Sequence, residues 1–255
     1  MPFVPPKFGI QSGIKTISKP INKKVIKESI VSQPTTEPRT RRPIWLILCL
    51  AFTSGFIIMS VELLGGRILA PYFGSSIYVW GSIITIFMMA LSVGYLIGGR
   101  LSLHQPSLFR YGLFFIIAAI ALTPVIVFAN AWMDAVFVRI EDPRYGSLVA
   151  STVLFFIPTA ILGMIAPYSV RLVVESTTTS GQVAGALYFV STLGSALGTL
   201  MTSFYLVLWF DMNTIISVMI AALLIAGVAA MAADRFFPIE DIGNQTVTNP
   251  MEANA

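Results

Sequence analysis

Glu62 and Arg67 are the residues whose type and place best suit chemistry, since each is a charge lodged in or beside a long apolar run. An ionised carboxylate in hydrocarbon costs at least about 3 kcal/mol, so Glu62 must face protein or water. It reads either as a cation-binding or proton-linked group or as an anchor bonded to a neighbouring helix. Five residues of helix turn through about 500°, which leaves Glu62 and Arg67 roughly 140° apart. Each then needs its own partner, unless the helix unwinds at Gly65-Gly66. The rest of the reactive inventory is thin. Cys49 is the single cysteine and His104 the single histidine, so no internal disulfide, CxxC pair or zinc, haem or iron-sulfur ligand set is expected. Asp134, Glu141 and Asp142 lie close to Arg139 and Arg144, and that mixture of signs reads as a solvated face. No motif supplies an activated nucleophile, an acid/base pair or a cofactor cradle, so no catalytic residue, metal or cofactor is expected.

The elements that must position Glu62 and Arg67 follow from composition. Hydrophobic residues make up 56% of the chain and charged residues only 11%, with a mean hydropathy of +0.82. Soluble surfaces need about twice that charge. A hydrocarbon core of roughly 30 Å takes about 20 residues of helix to cross. Six runs meet that length: Ile44 to Leu64, Val79 to Ile97, Tyr111 to Ala129, Leu148 to Ile165, Val183 to Leu208 and Thr214 to Ala232. The expected fold is an all-α polytopic membrane protein, with a six-helix domain over residues 44–232 between tails at 1–43 and 233–255. The first run is too long for a signal peptide and lacks a small-residue cleavage site, so it is expected to be retained. Pro124 and Pro158 are expected to kink the third and fourth spans. Trp45, Trp80, Trp132 and Trp209 fall near span ends, as interface anchors should.

Nine Lys and Arg residues precede Pro43, against Glu28 and Glu37. The positive-inside rule therefore keeps this tail in the cytoplasm, and six spans return the carboxyl terminus to the same side of the plasma (inner) membrane. Arg39, Arg41 and Arg42 decide that orientation, because the loops alone divide four basic residues inside from three outside. Within the tail, Ile10, Ile14, Ile17, Ile21, Val25 and Ile30 recur near helical spacing among lysines. The tail reads as a disordered basic leader, with an amphipathic surface helix over residues 15–31 as the alternative. It lacks the aromatic interleaving of a nucleic-acid binder, and the lipid bilayer is the nearer acidic partner.

Two phrases repeat, Leu69-Ala70-Pro71-Tyr72 and Ile165-Ala166-Pro167-Tyr168, 96 residues apart (167 − 71). Each is followed by a glycine pair, Gly94 with Gly98 and Gly194 with Gly198, offset by 100 (194 − 94). Three spans per unit is odd, so a repeat would be an inverted one, two three-helix units like half of a twelve-span carrier. Proline in mid-helix removes a hydrogen bond, so each phrase is expected to mark a helix exit or a deliberate break. The glycines, with Ser191, Ser195, Thr199 and Thr202 on the fifth span and Ser82, Thr85 and Ser92 on the second, read as helix-packing positions. A lining for a polar pathway is the other reading.

The segment from Glu62 through Ala70-Pro71-Tyr72-Phe73-Gly74 and Val79-Trp80-Gly81 to Gly94-Tyr95-Leu96-Ile97-Gly98-Gly99-Arg100 resembles the membrane half of the fused MFS-like/spermidine synthase family. Gly163-Met164-Ile165-Ala166-Pro167-Tyr168, Arg171, Gly185-Ala186-Leu187-Tyr188 and Ser191-Thr192-Leu193-Gly194-Ser195 extend the resemblance into the second half. It implies a helical membrane domain coupled to an aminopropyltransferase-like Rossmann domain. That domain is not expected here, since 23 residues (255 − 232) follow Ala232 and no GxGxxG follows a strand. The polar residues of the two blocks, Glu62, Arg67, Tyr72, Tyr95, Arg100, Tyr168, Arg171 and Tyr188, are the candidate substrate, ion or structural site. The expected role is a membrane module, not itself catalytic, that anchors or serves a separate synthase-like subunit. The alternatives are a small-solute or polyamine carrier working by alternating access, for which a homodimer would complete twelve spans, and a structural subunit of a membrane complex.

Overall fold

The computed structural model describes residues 44–103, 106–174 and 180–236. Both readings of the amino-terminal tail, His104 and the segment after Phe236 lie outside the described residues. Within them are six helices long and apolar enough to cross a membrane, and no strand. They are α1 (Ile44–Phe73), α2 (Ile77–Leu101), α3 (Leu108–Arg139), α4 (Pro143–Val173), α5 (Ser180–Met201) and α6 (Met212–Phe236). The fifth continues through a π-helical turn, Thr202–Leu206, and one more turn, Val207–Trp209. This is a multi-pass membrane protein in contact with lipid.

The helices overrun the apolar runs, because a span continues past the hydrocarbon until a cap or a turn residue stops it. Gly74 stops α1: its φ of +78° is a left-handed conformation that glycine adopts without steric cost, and its N–H donates to the Ala70 carbonyl at 2.9 Å. Ser107 caps α3 by accepting from the Arg110 N–H at 3.2 Å, and Asp142 caps α4 by accepting from the Arg144 N–H at 2.9 Å, ahead of Pro143.

Neither Ala-Pro-Tyr phrase is a break. Pro71 lies within the last turn of α1, and α4 runs through Pro167 to Val173. A proline removes only its own N–H, and the surrounding helical bonds carry the chain onward when neighbouring helices pack around it. Pro124 and Pro158 likewise lie inside α3 and α4.

The main pairings are α2 with α4, α1 with α5 and α3 with α6, and α4 also meets α3 and α1. Glycines set these pairings. Gly94 and Gly98 of α2 lie against the backbone of Ala160 and Met164, while Gly194 and Gly198 of α5 lie against the backbone of Phe52 and Phe56. Those targets are 108 apart in both cases (160 − 52 and 164 − 56), and the glycines are 100 apart. Gly163 and Gly55, also 108 apart, meet the carbonyls of Leu91 and Ser191, again 100 apart. The two halves therefore share one contact pattern, with α1 and α4 exchanged and α2 and α5 exchanged. The Pro-Tyr phrases, at an offset of 96, stand twelve residues out of this register (108 − 96), about 18 Å of helix. The glycines carry the repeat and the phrase does not. Gly112 of α3 and Gly227 of α6 lie against each other's carbonyls, closing the third pairing.

Trp45 and Trp209 are exposed near helix ends, as anchors should be. Trp80 and Trp132 differ. Trp80 packs over Gly66, where α1 offers no side chain, and the Trp132 Nε1 is enclosed without a hydrogen-bond partner. The acidic and basic residues between Asp134 and Arg144 are exposed, and Arg144 stacks 4.4 Å above the Tyr78 ring.

Candidate functional site

The alternation of the helices puts the ends of α1, α3 and α5 and the starts of α2, α4 and α6 on one side, called here the Gly74 end. The opposite side is the Ile44 end. Glu62 sits between, half-buried in α1. The helix does not unwind after it, since Gly65 and Gly66 are both helical and packed. These glycines follow Glu62 by three and four residues and so share its side of the helix; they lie against Phe155 of α4 and Trp80 of α2. Among the described residues Glu62 has no hydrogen bond or ion pair. It is the carboxylate embedded deepest in a span.

Arg67 finds a separate partner. Its guanidinium donates to the Val207 carbonyl at 3.4 Å, just past the π-turn. That turn is also fastened lower down, where the Thr202 hydroxyl donates to Ser60 Oγ at 2.8 Å and Ser60 donates to the Gly198 carbonyl at 3.3 Å. π-Turns inside α-helices often accompany functional sites, because the widened ring alters which carbonyls are left free.

Above this fastening a polar cavity of about 500 Å³ opens among α1, α3 and α6. Arg67 and Tyr72 line it together with Asn130, Asp211, Asn213 and Thr214. The Asp134 carboxylate stands beside the Tyr72 hydroxyl. Asn130, Asp211 and Asn213 are absent from the residues expected from sequence, although a signal exists. Alternating the six runs places the end of the third and the start of the sixth beside Arg67, which groups these polar residues.

The other expected site residues scatter. Tyr95 of α2 and Tyr188 of α5 are exposed and within electrostatic reach of each other, away from the cavity. Arg100 and Arg171 end neighbouring helices α2 and α4 at the Ile44 end, exposed and without an ion pair among the described residues. Tyr168 is fully buried and structural: its hydroxyl accepts from the Ser107 N–H at 3.1 Å and donates to the Ser107 carbonyl at 3.4 Å, tying α4 to the start of α3. Its ring stacks on Tyr111 with centroids 6.0 Å apart, and the Tyr111 hydroxyl bonds Ser169 Oγ at 2.7 Å. Ser191 and Ser195 serve packing. Ser195 donates to the Gly55 carbonyl at 3.2 Å and to the Ser191 carbonyl at 3.1 Å.

The structure thus unites Arg67 and Tyr72, gives Glu62 no partner among the described residues, and places Arg100 with Arg171 at the far end. Compared with protein-family models, with curated proteins and with solved structures, the chain matches none.

Proposed function

We propose that this six-helix bundle is a membrane module that serves a soluble aminopropyltransferase-like partner, with both chain ends in the cytoplasm at the plasma membrane. The observation that carries the reading is the pair Arg100 and Arg171, exposed and without an ion pair among the described residues, at adjoining helix ends within the two sequence blocks that resemble the spermidine synthase-like family. Exposed cations without internal partners suit an acidic docking surface, where charge complementarity speeds encounter and fixes orientation. The experiment is copurification in mild detergent with the product of a neighbouring synthase-like reading frame, comparing the native chain with Arg100→Ala/Arg171→Ala. Retention by the native chain and loss from the double variant is the expected result. No retention by either overturns the reading.

A second reading, a small-solute carrier, is favoured by a different observation, Glu62 in mid-span without a hydrogen bond or ion pair among the described residues. A carboxylate there is held at a cost unless it meets a cation or a proton during work. Proteoliposome uptake that disappears on Glu62→Gln supports it, and uptake equal to that of empty vesicles removes it.

A further inference from the structure

We propose that the cavity at the Gly74 end binds a small zwitterion, a ligand holding an anionic group and an ammonium group a few ångströms apart. The inference deepens the carrier reading and is independent of the soluble partner. Arg67 and Asp211 line one cavity from different helices, α1 and the start of α6, yet no ion pair joins them. Among the described residues Arg67 is held by one long hydrogen bond, to the Val207 carbonyl, so most of its planar donor fork is left over. Such a fork matches a carboxylate or phosphate through two parallel bonds. The Asp211 backbone carbonyl accepts from the Ile215 N–H at 3.0 Å, which fixes the residue at the first turn of α6. Its carboxylate has no hydrogen bond or ion pair among the described residues and is exposed, a ready acceptor for an ammonium group.

The opposed charges also set what the cavity refuses. A polyamine brought to Asp211 would set its further ammonium groups against Arg67, and a dicarboxylate brought to Arg67 would set its second carboxylate against Asp211. Like charges brought together in one small cavity discriminate against the wrong ligand. Asn130 and Asn213 add neutral donors and acceptors, while Ile126 and Ala129 offer an apolar wall to a short hydrocarbon. The volume of about 500 Å³ is within the range of small-molecule sites.

Two sources carry this chemistry, a free amino acid and a lipid headgroup that joins phosphate to ammonium. The test measures thermal stabilisation of the full chain in detergent by 4-aminobutanoate, alanine, spermidine and succinate. A parallel arm uses nanodiscs with and without phosphatidylethanolamine. Stabilisation by the amino acids, or by phosphatidylethanolamine over phosphatidylglycerol, with none from spermidine or succinate, is expected; the responding arm identifies the source. Arg67→Gln and Asp211→Asn should each weaken binding at least tenfold, while Arg67→Lys and Asp211→Glu retain part of it and show that the fold survives. Stabilisation by spermidine or succinate equal to that by the zwitterions, or no response in either arm, overturns the proposal. Copurification of a soluble partner is untouched by either result.

Discussion

Gly94 of α2 lies so close to the carbonyl of Ala160 in α4 that the position has no room for a side chain. The same relationship joins Gly194 of α5 to Phe52 of α1. In lipid, close backbone approach replaces the hydrophobic drive that assembles soluble bundles, so these contacts decide which helices pair.

Gly94→Ala and Gly194→Ala should each destabilise the bundle by about 1–3 kcal/mol, the usual cost of overpacking, because a backbone carbonyl cannot swing aside. Gly81→Ala and Gly99→Ala are the controls, since nothing lies within 4 Å of an added Cβ there. They should be neutral or stabilising by up to about 1 kcal/mol through helix propensity. Melting of the detergent-solubilised protein, followed by tryptophan fluorescence, separates the two classes.

Ser60 and Thr202 should be coupled. Each variant, Ser60→Ala and Thr202→Val, breaks the hydroxyl bridge between α1 and the π-turn, and interhelical hydrogen bonds in membranes are worth about 0.6–2 kcal/mol. A double-mutant cycle on unfolding in SDS should return a coupling energy of that size; additive losses would show the bridge contributes nothing.

Ser169→Ala should cost more than Tyr111→Phe. Ser169 donates to the Ile165 carbonyl at 2.7 Å, so the Tyr111 hydroxyl is the donor in their shared bond. Removing Ser169 strands a fully buried hydroxyl, about 1–3 kcal/mol, whereas Tyr111→Phe removes the donor and leaves only an acceptor lone pair, about 0.5–1.5 kcal/mol. Chemical denaturation of both variants orders them.

Glu62→Gln should raise the melting temperature, since among the described residues the carboxylate gains no hydrogen bond or ion pair to offset its burial. Each kcal/mol of relief corresponds to roughly 2–4 °C in a protein of this size. A lower melting temperature would mean that Glu62 is bonded in the folded protein.

Orientation is open to labelling in a Cys49→Ser background. Ser75→Cys, in the turn at the Gly74 end, should react with an impermeant maleimide in intact cells. Leu103→Cys, at the Ile44 end and 70% exposed, should react only after permeabilisation. The reverse pattern inverts the assignment of the cytoplasmic face.

Six helices and their approximate places were legible in the residues alone, because span length is set by bilayer thickness and apolar runs of that length have few other uses. Gly94, Gly98, Gly194 and Gly198 were legible as packing positions for the same reason that small residues matter in lipid. What they pack against was not, since register between helices separated by sixty or more residues leaves no local trace. The Ala-Pro-Tyr repeat was misleading on this point: identity of three residues says nothing about depth, and only the backbone contacts reveal an offset of 108 where the phrase gives 96. Tyr168 likewise reads as a substrate, ion or structural residue alike until its hydroxyl is found on the Ser107 backbone. The sequence by itself determined the class of molecule, because hydropathy is a property of segments. The joining of Arg67 to Asp211 in one cavity, and the lack of a partner for Glu62 among the described residues, were decided by tertiary structure, because a charge's partners depend on which helices the glycines allow to meet.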